Sequence, residues 1–195
     1  SKRTQDKGVT PVQVSKKELR KKLLTERRGL DENYRLQRDI LIYNKLMELP
    51  VIAEADTVFT YVSTEIEVDT ILFIDAMLSF GKTVAVPKCE GGEMRFYAID
   101  SLADLETGAF GIPEPKGDEE ITDYKRSVCI TPALSFDEKG FRMGYGGGYY
   151  DRFLAEYTGT SIGICYEDFI GDIATEEYDL PVKIVVTEEK IRYIH

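Results

Sequence analysis

Residues 128–153, VCITPALSFDEKGFRMGYGGGYYDRF, pass from a β-branched run through a polar loop and a glycine cluster into a helical pattern. A buried strand, a loop at its carboxyl end and a helix behind that loop are the parts of a parallel β–α unit. Outward from this stretch the same alternation repeats. Residues 57–62, 83–86, 128–131, 161–165 and 184–187 read as strands, and 94–99 reads as an additional strand with alternating sides. Residues 70–80 read as a helix closed by Gly81, and 149–157 as a helix closed near Gly159. The expected fold class is α/β: a mainly parallel sheet flanked by helices on both faces, with ligands at the carboxyl ends of the strands.

Two helices precede this alternation. Ser15 followed by Glu18 makes a capping box, so a helix is expected from Ser15 to about Arg28, stopped by Gly29, with Leu19, Leu23 and Leu24 as its apolar stripe. Lys16 and Arg20, four apart, share a face of it. Asp31 is the next N-cap, and Leu36, Ile40, Tyr43 and Met47 follow at helical spacing until Pro50. Residues 1–14 are expected to be a flexible segment and 15–195 a single α/β domain with this N-terminal helical pair, since no repeat or long linker divides the chain.

Composition narrows the chemistry. The only histidine is the terminal His195, a poor base for a nucleophilic triad and a poor zinc ligand. Cys89, Cys129 and Cys165 form no CxxC pair and read as buried thiols of a reducing compartment. The first ten residues lack the apolar core of a signal peptide, and no run is long enough to span a bilayer, so the expected location is cytoplasmic. Net charge is −10, but residues 1–28 hold ten basic side chains against three acidic ones. The acidic body argues against polynucleotide binding. The basic helix is either a solvated face or a dock for one small polyanion.

Gly144, Gly146, Gly147 and Gly148 directly precede the helix at Tyr149. Glycines at a helix N-terminus let backbone N–H groups converge on an anion, so this loop is a phosphate cradle in outline, flanked by Lys139 and Arg142. No Gly-Lys-Ser/Thr follows, so it is not a P-loop, and the contiguous glycines are not a dinucleotide fingerprint. Asp151, in the first helical turn, is a dipole partner or a magnesium ligand. Tyr145, Tyr149 and Tyr150 offer ring faces for a planar heterocycle or for the core. In EIEVDT, residues 65–70, an extended chain puts Glu65, Glu67 and Asp69 on one side; Asp69 then caps the following helix, and Glu67 is a loop acid or an acceptor for an amino-substituted heterocycle. GAFGIPEP, residues 108–115, suits a pocket wall or an ordered surface loop.

From Ser15 onward the sequence resembles the 5-formyltetrahydrofolate cyclo-ligase family. The resemblance rests on KKELR (16–20), YVSTEIEVDT (61–70), VPKCEGGEMRFYAI (86–99), GAFGIPEP, RMGYGGGYYDRF (142–153) and YDLPVKIVVTE (178–188) taken together. It implies ATP- and magnesium-dependent closure of 5-formyltetrahydrofolate to 5,10-methenyltetrahydrofolate, with release of ADP and phosphate. The implied path is attack of the formyl oxygen on the γ-phosphate, addition of N10, and loss of phosphate; such chemistry needs positioning and charge neutralisation rather than an imidazole.

By position, the resemblance implies that Lys16 and Arg20 hold ATP phosphates and that Arg142, Met143, Gly144, Tyr145, Gly146, Gly147, Gly148, Tyr149 and Tyr150 wrap the nucleotide, with Arg142 as the catalytic charge stabiliser. It assigns Asp151 and Asp179 to magnesium, and Val62, Glu67 and the stretch Tyr145 to Tyr149 to the folate, with Lys88 beside a phosphate or the folate tail. Lys183 stands where the family tail often carries a second acid. The implied partners are the two small-molecule substrates, with no nucleic acid or membrane, and the implied assembly is a monomer or weak homodimer. The competing readings are a non-catalytic nucleotide or folate-binding module and a sugar-phosphate isomerase-like enzyme on a similar sheet.

Overall fold

The computed structural model describes residues 11–177 and 179–195, with the side chains of residues 11–15 left aside. The expectation of a flexible N-terminal segment thus falls largely outside the described residues. Helix α1 (Pro11–Arg28) begins four residues earlier than the capping-box reading placed it. Ser15 consequently lies inside the helix.

Helix α2 (Glu32–Glu48) starts as expected, with the Asp31 carboxylate accepting from the Tyr34 N–H. Its inward face differs from the expected stripe. Leu36 and Ile40 are 58% and 45% exposed, while Ile42 and Leu46 are buried. Tyr34, Arg35, Arg38 and Asp39 turn inward instead, because loops of the sheet supply polar partners there. Pro50 both ends this helix and opens a short one, α3 (Pro50–Glu54).

The sheet is assembled from β1 (Thr57–Thr60), β2 (Thr83–Glu90), β3 (Glu93–Ile99), β6 (Ser127–Thr131), β9 (Thr160–Ile164), β10 (Ile184–Val186) and β11 (Ile191–Tyr193). Two small hairpins lie outside it, β4 (Leu105–Thr107) with β5 (Pro113–Pro115), and β7 (Ser135–Phe136) with β8 (Arg142–Met143). Helices α4 (Ile71–Ser79) and α5 (Tyr149–Glu156) complete the layers. The spatial order is β11-β10-β9-β6-β1-β2-β3. Strands β10, β9, β6, β1 and β2 are parallel, and β11 and β3 close the two edges antiparallel.

Alternation along the central strands sorts the core into two faces. Val58, Val84, Val128 and Ile162 pack under Ile42, Leu46, Phe73 and Ile74 of the helices α2 and α4. Phe59, Ala85 and Cys129 face the other way, against Phe96, the Tyr150 and Phe153 rings of α5 and the Tyr157 ring just past its end. Helices therefore cover both faces, as the alternation required. Burying each of these large apolar side chains contributes on the order of 1.5–3 kcal/mol, which fixes the strand register.

The chain leaves β1 for β2 on one side and returns to β6 on the other. The loops after β1 and β6 therefore diverge at a topological switch point, where open α/β sheets bind ligands. Strand lengths differ from expectation: β1 stops at Thr60 and β10 at Val186, while β2 continues to Glu90 and pairs with β3 in a hairpin that turns at Gly91 and Gly92. Lys88 sits inside that ladder, paired with Glu90 at 3.1 Å, rather than at a strand end. Among the cysteines, Cys129 and Cys165 are buried and free, with burial pushing both thiols up to about 12. Cys89 is exposed, contrary to expectation, because it lies on the protruding hairpin.

Candidate active site

The glycine loop is built by the β7–β8 hairpin and the start of α5. The Leu134 N–H donates to the Met143 carbonyl at 2.8 Å, so the chain returns beside β6 before it enters the glycines. Gly148 caps α5 at φ 69, and Gly146 stands at φ 104. Residues with a Cβ are strained in that region, which accounts for glycine at these two positions. A Cβ at Gly146 would also meet the Arg20 guanidinium at 3.4 Å.

Two cations of α1 close over this loop. Arg20 donates through Nε to the Gly144 carbonyl at 3.0 Å. Lys16, one turn earlier, donates to the Asp179 carboxylate at 3.1 Å, both side chains being about four-fifths buried. The shared face of Lys16 and Arg20 is thus directed at the glycine loop and the tail. The bland reading of these two as a solvated face is set aside by those contacts.

Arg142 comes up from β8 with its side chain 5% exposed. It donates to the Pro132 carbonyl at 3.1 Å and to the Asp151 carboxylate at 3.0 Å, and its guanidinium lies 5.4 Å from the Tyr150 ring centroid. Burial pulls its pKa down and Asp151 opposes that pull, so the group stays cationic. Asp151 is half exposed, in the first turn of α5. Arg152 buttresses the loop by donating to the Gly147 and Gly92 carbonyls, and it lies 4.9 Å from the Tyr149 ring centroid.

Across the switch point lies the loop after β1. It is turned rather than extended, with the Glu67 N–H donating to the Thr64 carbonyl, so Glu65, Glu67 and Asp69 do not share one side. Asp69 takes its expected part at the helix start, accepting from the Ile71 N–H at 3.0 Å. The Glu67 carboxylate accepts from the Thr64 N–H and hydroxyl at 2.9 and 3.0 Å. Burial raises its pKa, while those bonds and the Arg27 charge act in the opposite direction. Tyr145, from the glycine loop, is near enough that the Glu67 charge adds to burial in raising the pKa of its hydroxyl.

Two residues of the expected contact set are core residues by their side chains. Val62 and Met143 are 4% and 1% exposed and serve as floor. Tyr150 is packed against Phe96, and its buried hydroxyl has no hydrogen-bond partner among the described residues. Tyr145 is 41% exposed and open to a ligand. Lys183 lies at the other end of the sheet, donating to the Gly159 carbonyl before β9, so its charge is remote from Asp151 and Asp179.

Sequence reading passed over two residues. Phe110 is fully exposed at φ 58 on the tip between β4 and β5. Arg27 is 1% exposed, although the basic helix that carries it reads as either a solvated face or a dock for a polyanion.

For magnesium, Asp151 and Asp179 are two carboxylates, each facing a cation that phosphate oxygens can take over. Among the described residues no three His, Cys, Asp or Glu side chains form a self-contained cage. One or two carboxylates beside a polyphosphate are what magnesium ordinarily uses, so the donor set fits a metal delivered with a nucleotide. No described helix is long and apolar enough to cross a membrane.

Comparison with known proteins identifies the family. Residues 12–188 match the model of the 5-formyltetrahydrofolate cyclo-ligase family. The chain is 32% identical to the 5-formyltetrahydrofolate cyclo-ligase of Escherichia coli K12 over 156 residues, covering 75% of this chain and 86% of that one. It is 30% identical to a probable 5-formyltetrahydrofolate cyclo-ligase of Schizosaccharomyces pombe over 174 residues, covering 79% and 85%. The NMR structure of Aquifex aeolicus 5,10-methenyltetrahydrofolate synthetase superposes with a TM-score of 0.83 at 34% identity, covering 92% of this chain and 93% of that one. With its parallel sheet, its switch-point loops and these relatives, the chain belongs to the 5-formyltetrahydrofolate cyclo-ligase family.

Proposed function

We propose that this protein converts 5-formyltetrahydrofolate and ATP to 5,10-methenyltetrahydrofolate, ADP and phosphate, using magnesium. The observation that carries the reading is Arg142: a buried cation at the switch point, seated between Pro132 of the loop after β6 and Asp151 at the start of α5, beside Gly144 of the glycine loop. A desolvated, positioned guanidinium is what a transferring phosphoryl group requires, and removal of one such donor typically costs on the order of 10²–10³ in turnover.

Lys16 and Arg20 draw the polyphosphate onto the N–H groups before α5, and the Lys16–Asp179 and Arg142–Asp151 pairs exchange partners as it arrives. Asp151 and Asp179 would hold magnesium, which would supply neutralisation of phosphate charge. Glu67 accepts hydrogen bonds from amino and ring N–H groups of the pterin, and Tyr145 closes the junction between the two substrates.

The formyl oxygen forms a bond to the γ-phosphorus as the bond to the ADP oxygen breaks. N10 then adds to the activated formyl carbon and loses its proton, and the C–O bond breaks to release phosphate. Arg142 meets the negative charge spread over the phosphoryl oxygens. A binding module without turnover has less use for this set of cations gathered around the glycine loop. The protein acts on small molecules, as a monomer or weak homodimer, in the cytoplasm, where free thiols such as Cys129 and Cys165 remain reduced.

The test is a rise in absorbance at about 360 nm, the chromophore expected of the methenyl product. The rise is expected only when ATP, magnesium and 5-formyltetrahydrofolate are all present. A rise without ATP, or none with all three, contradicts the reading.

A further inference from the structure

Arg27 is the largest of the fully buried side chains, yet no carboxylate pairs with it among the described residues. Its guanidinium is spent on backbone carbonyls. Nη1 donates to Ile66 at 3.2 Å, and Nη2 donates to Ala133 at 3.0 Å and Leu134 at 2.9 Å. Phe169 and Tyr166 cover it, with ring centroids 4.5 and 5.7 Å from Cζ. A charge taken out of water is expensive, and carbonyl acceptors with aromatic faces offset that less completely than a carboxylate would. If Arg27 served only to pack α1, an apolar residue of similar volume would avoid this cost.

The identity of the carbonyls indicates its use. Ile66 immediately precedes Glu67 in the loop after β1. Ala133 and Leu134 lie in the loop after β6, and the Leu134 N–H in turn holds the Met143 carbonyl beside Arg142. One planar guanidinium thus ties together the two loops that diverge at the switch point. A lysine ammonium retains the charge but lacks the fork that spans both.

We infer that Arg27 is a positioning residue that fixes the separation between the Glu67 loop and the Arg142 loop, and so the distance over which the formyl oxygen meets the phosphoryl group. This rests on the function proposed above. Its hydrogen bonds all go to loop backbone and none to the Glu67 or Arg142 side chains, and Arg27→Lys keeps the charge that acts on Glu67. Arg27 therefore governs alignment of two bound substrates more than the affinity for either one. A misplacement of about 1 Å between reacting groups costs on the order of 10²-fold in rate.

The test measures kcat, and separately the dissociation constants of 5-formyltetrahydrofolate and of a non-hydrolysable ATP analogue with magnesium, for wild type, Arg27→Lys and Phe169→Leu. Phe169→Leu thins the cover over the guanidinium without removing a carbonyl bond, so it controls for loss of stability alone. Arg27→Lys is expected to lower kcat by about 100-fold with both dissociation constants within about threefold of wild type. Phe169→Leu is expected to lower the melting temperature and leave kcat within about threefold. The inference is overturned if Arg27→Lys keeps its kcat, if its loss lies in the dissociation constants, or if Phe169→Leu loses as much turnover. Should Arg27→Lys not fold, Arg27→Gln in the presence of both ligands is read by the same criteria. A wild type without ATP-dependent turnover overturns the proposed function itself, a distinct result from an active wild type with an active Arg27→Lys.

Discussion

Each end of the sheet carries an arginine with the same kind of partners. Arg126, before β6, donates to the Asp56 carboxylate at 2.8 Å and to the Glu54 carbonyl at 2.9 Å. Arg142, beyond the other end of β6, donates to the Asp151 carboxylate at 3.0 Å and to the Pro132 carbonyl at 3.1 Å. Their side chains are 67% and 5% exposed. Bond geometry alone would rank them equal. The difference lies in the surroundings: water screens Arg126 and its partner, whereas Tyr150 and the glycine loop enclose Arg142. The contrast separates a cation that trims the surface from one set to meet charge that develops during a reaction.

Arg142→Ala should give the largest effect, a fall in kcat on the order of 10²–10³ with folate affinity nearly retained. Steady-state kinetics beside a folate titration checks this, and equal loss in both would reduce Arg142 to a binding residue. Next is Glu67. Burial raises its pKa, so its carboxylate is lost on descending from neutral pH sooner than an exposed glutamate would lose it. If the carboxylate form holds the pterin, kcat/KM should fall as pH drops through that raised value. Glu67→Gln should lower kcat/KM by about tenfold at neutral pH and flatten the acid limb. A limb that persists in the variant assigns it to another group.

Lys16→Ala should act on the nucleotide alone, raising KM for ATP by about tenfold, roughly the 1.4 kcal/mol of one phosphate contact. An unchanged KM would leave Lys16 as a partner of Asp179 and nothing more. Arg126→Ala closes the series from the opposite end of the sheet. It should leave turnover unchanged and shift stability by no more than about 0.5 kcal/mol, the solvent-screened value of an exposed pair. A large effect there would erase the contrast between the two ends.

Much of this was readable from residue order because the signals are local. Strands alternate with helices, Asp31 and Asp69 sit where caps are needed, and four glycines precede α5. Arg142, Asp151 and Glu67 were legible for the same reason, each lying in or beside such a loop. Arg27 was not, because its burial is set by carbonyls of Ile66, Ala133 and Leu134, far away along the chain. The inward face of α2 was missed on similar grounds: Leu36 and Ile40 keep helical spacing, but partners such as Tyr166 for Asp39 and Asp168 for Tyr34 favour the polar side facing in. Phe110 escaped because no periodicity marks a single exposed ring on a left-handed turn.

The account turns on ATP activating the formyl oxygen beside Arg142, and one isotope experiment addresses that step. Carried through a single turnover with ATP and magnesium, 5-formyltetrahydrofolate labelled with heavy oxygen in its formyl group should deliver the label into inorganic phosphate. Unlabelled phosphate, with the heavy oxygen released to water, would contradict phosphorylation of that oxygen and with it the role given to Arg142.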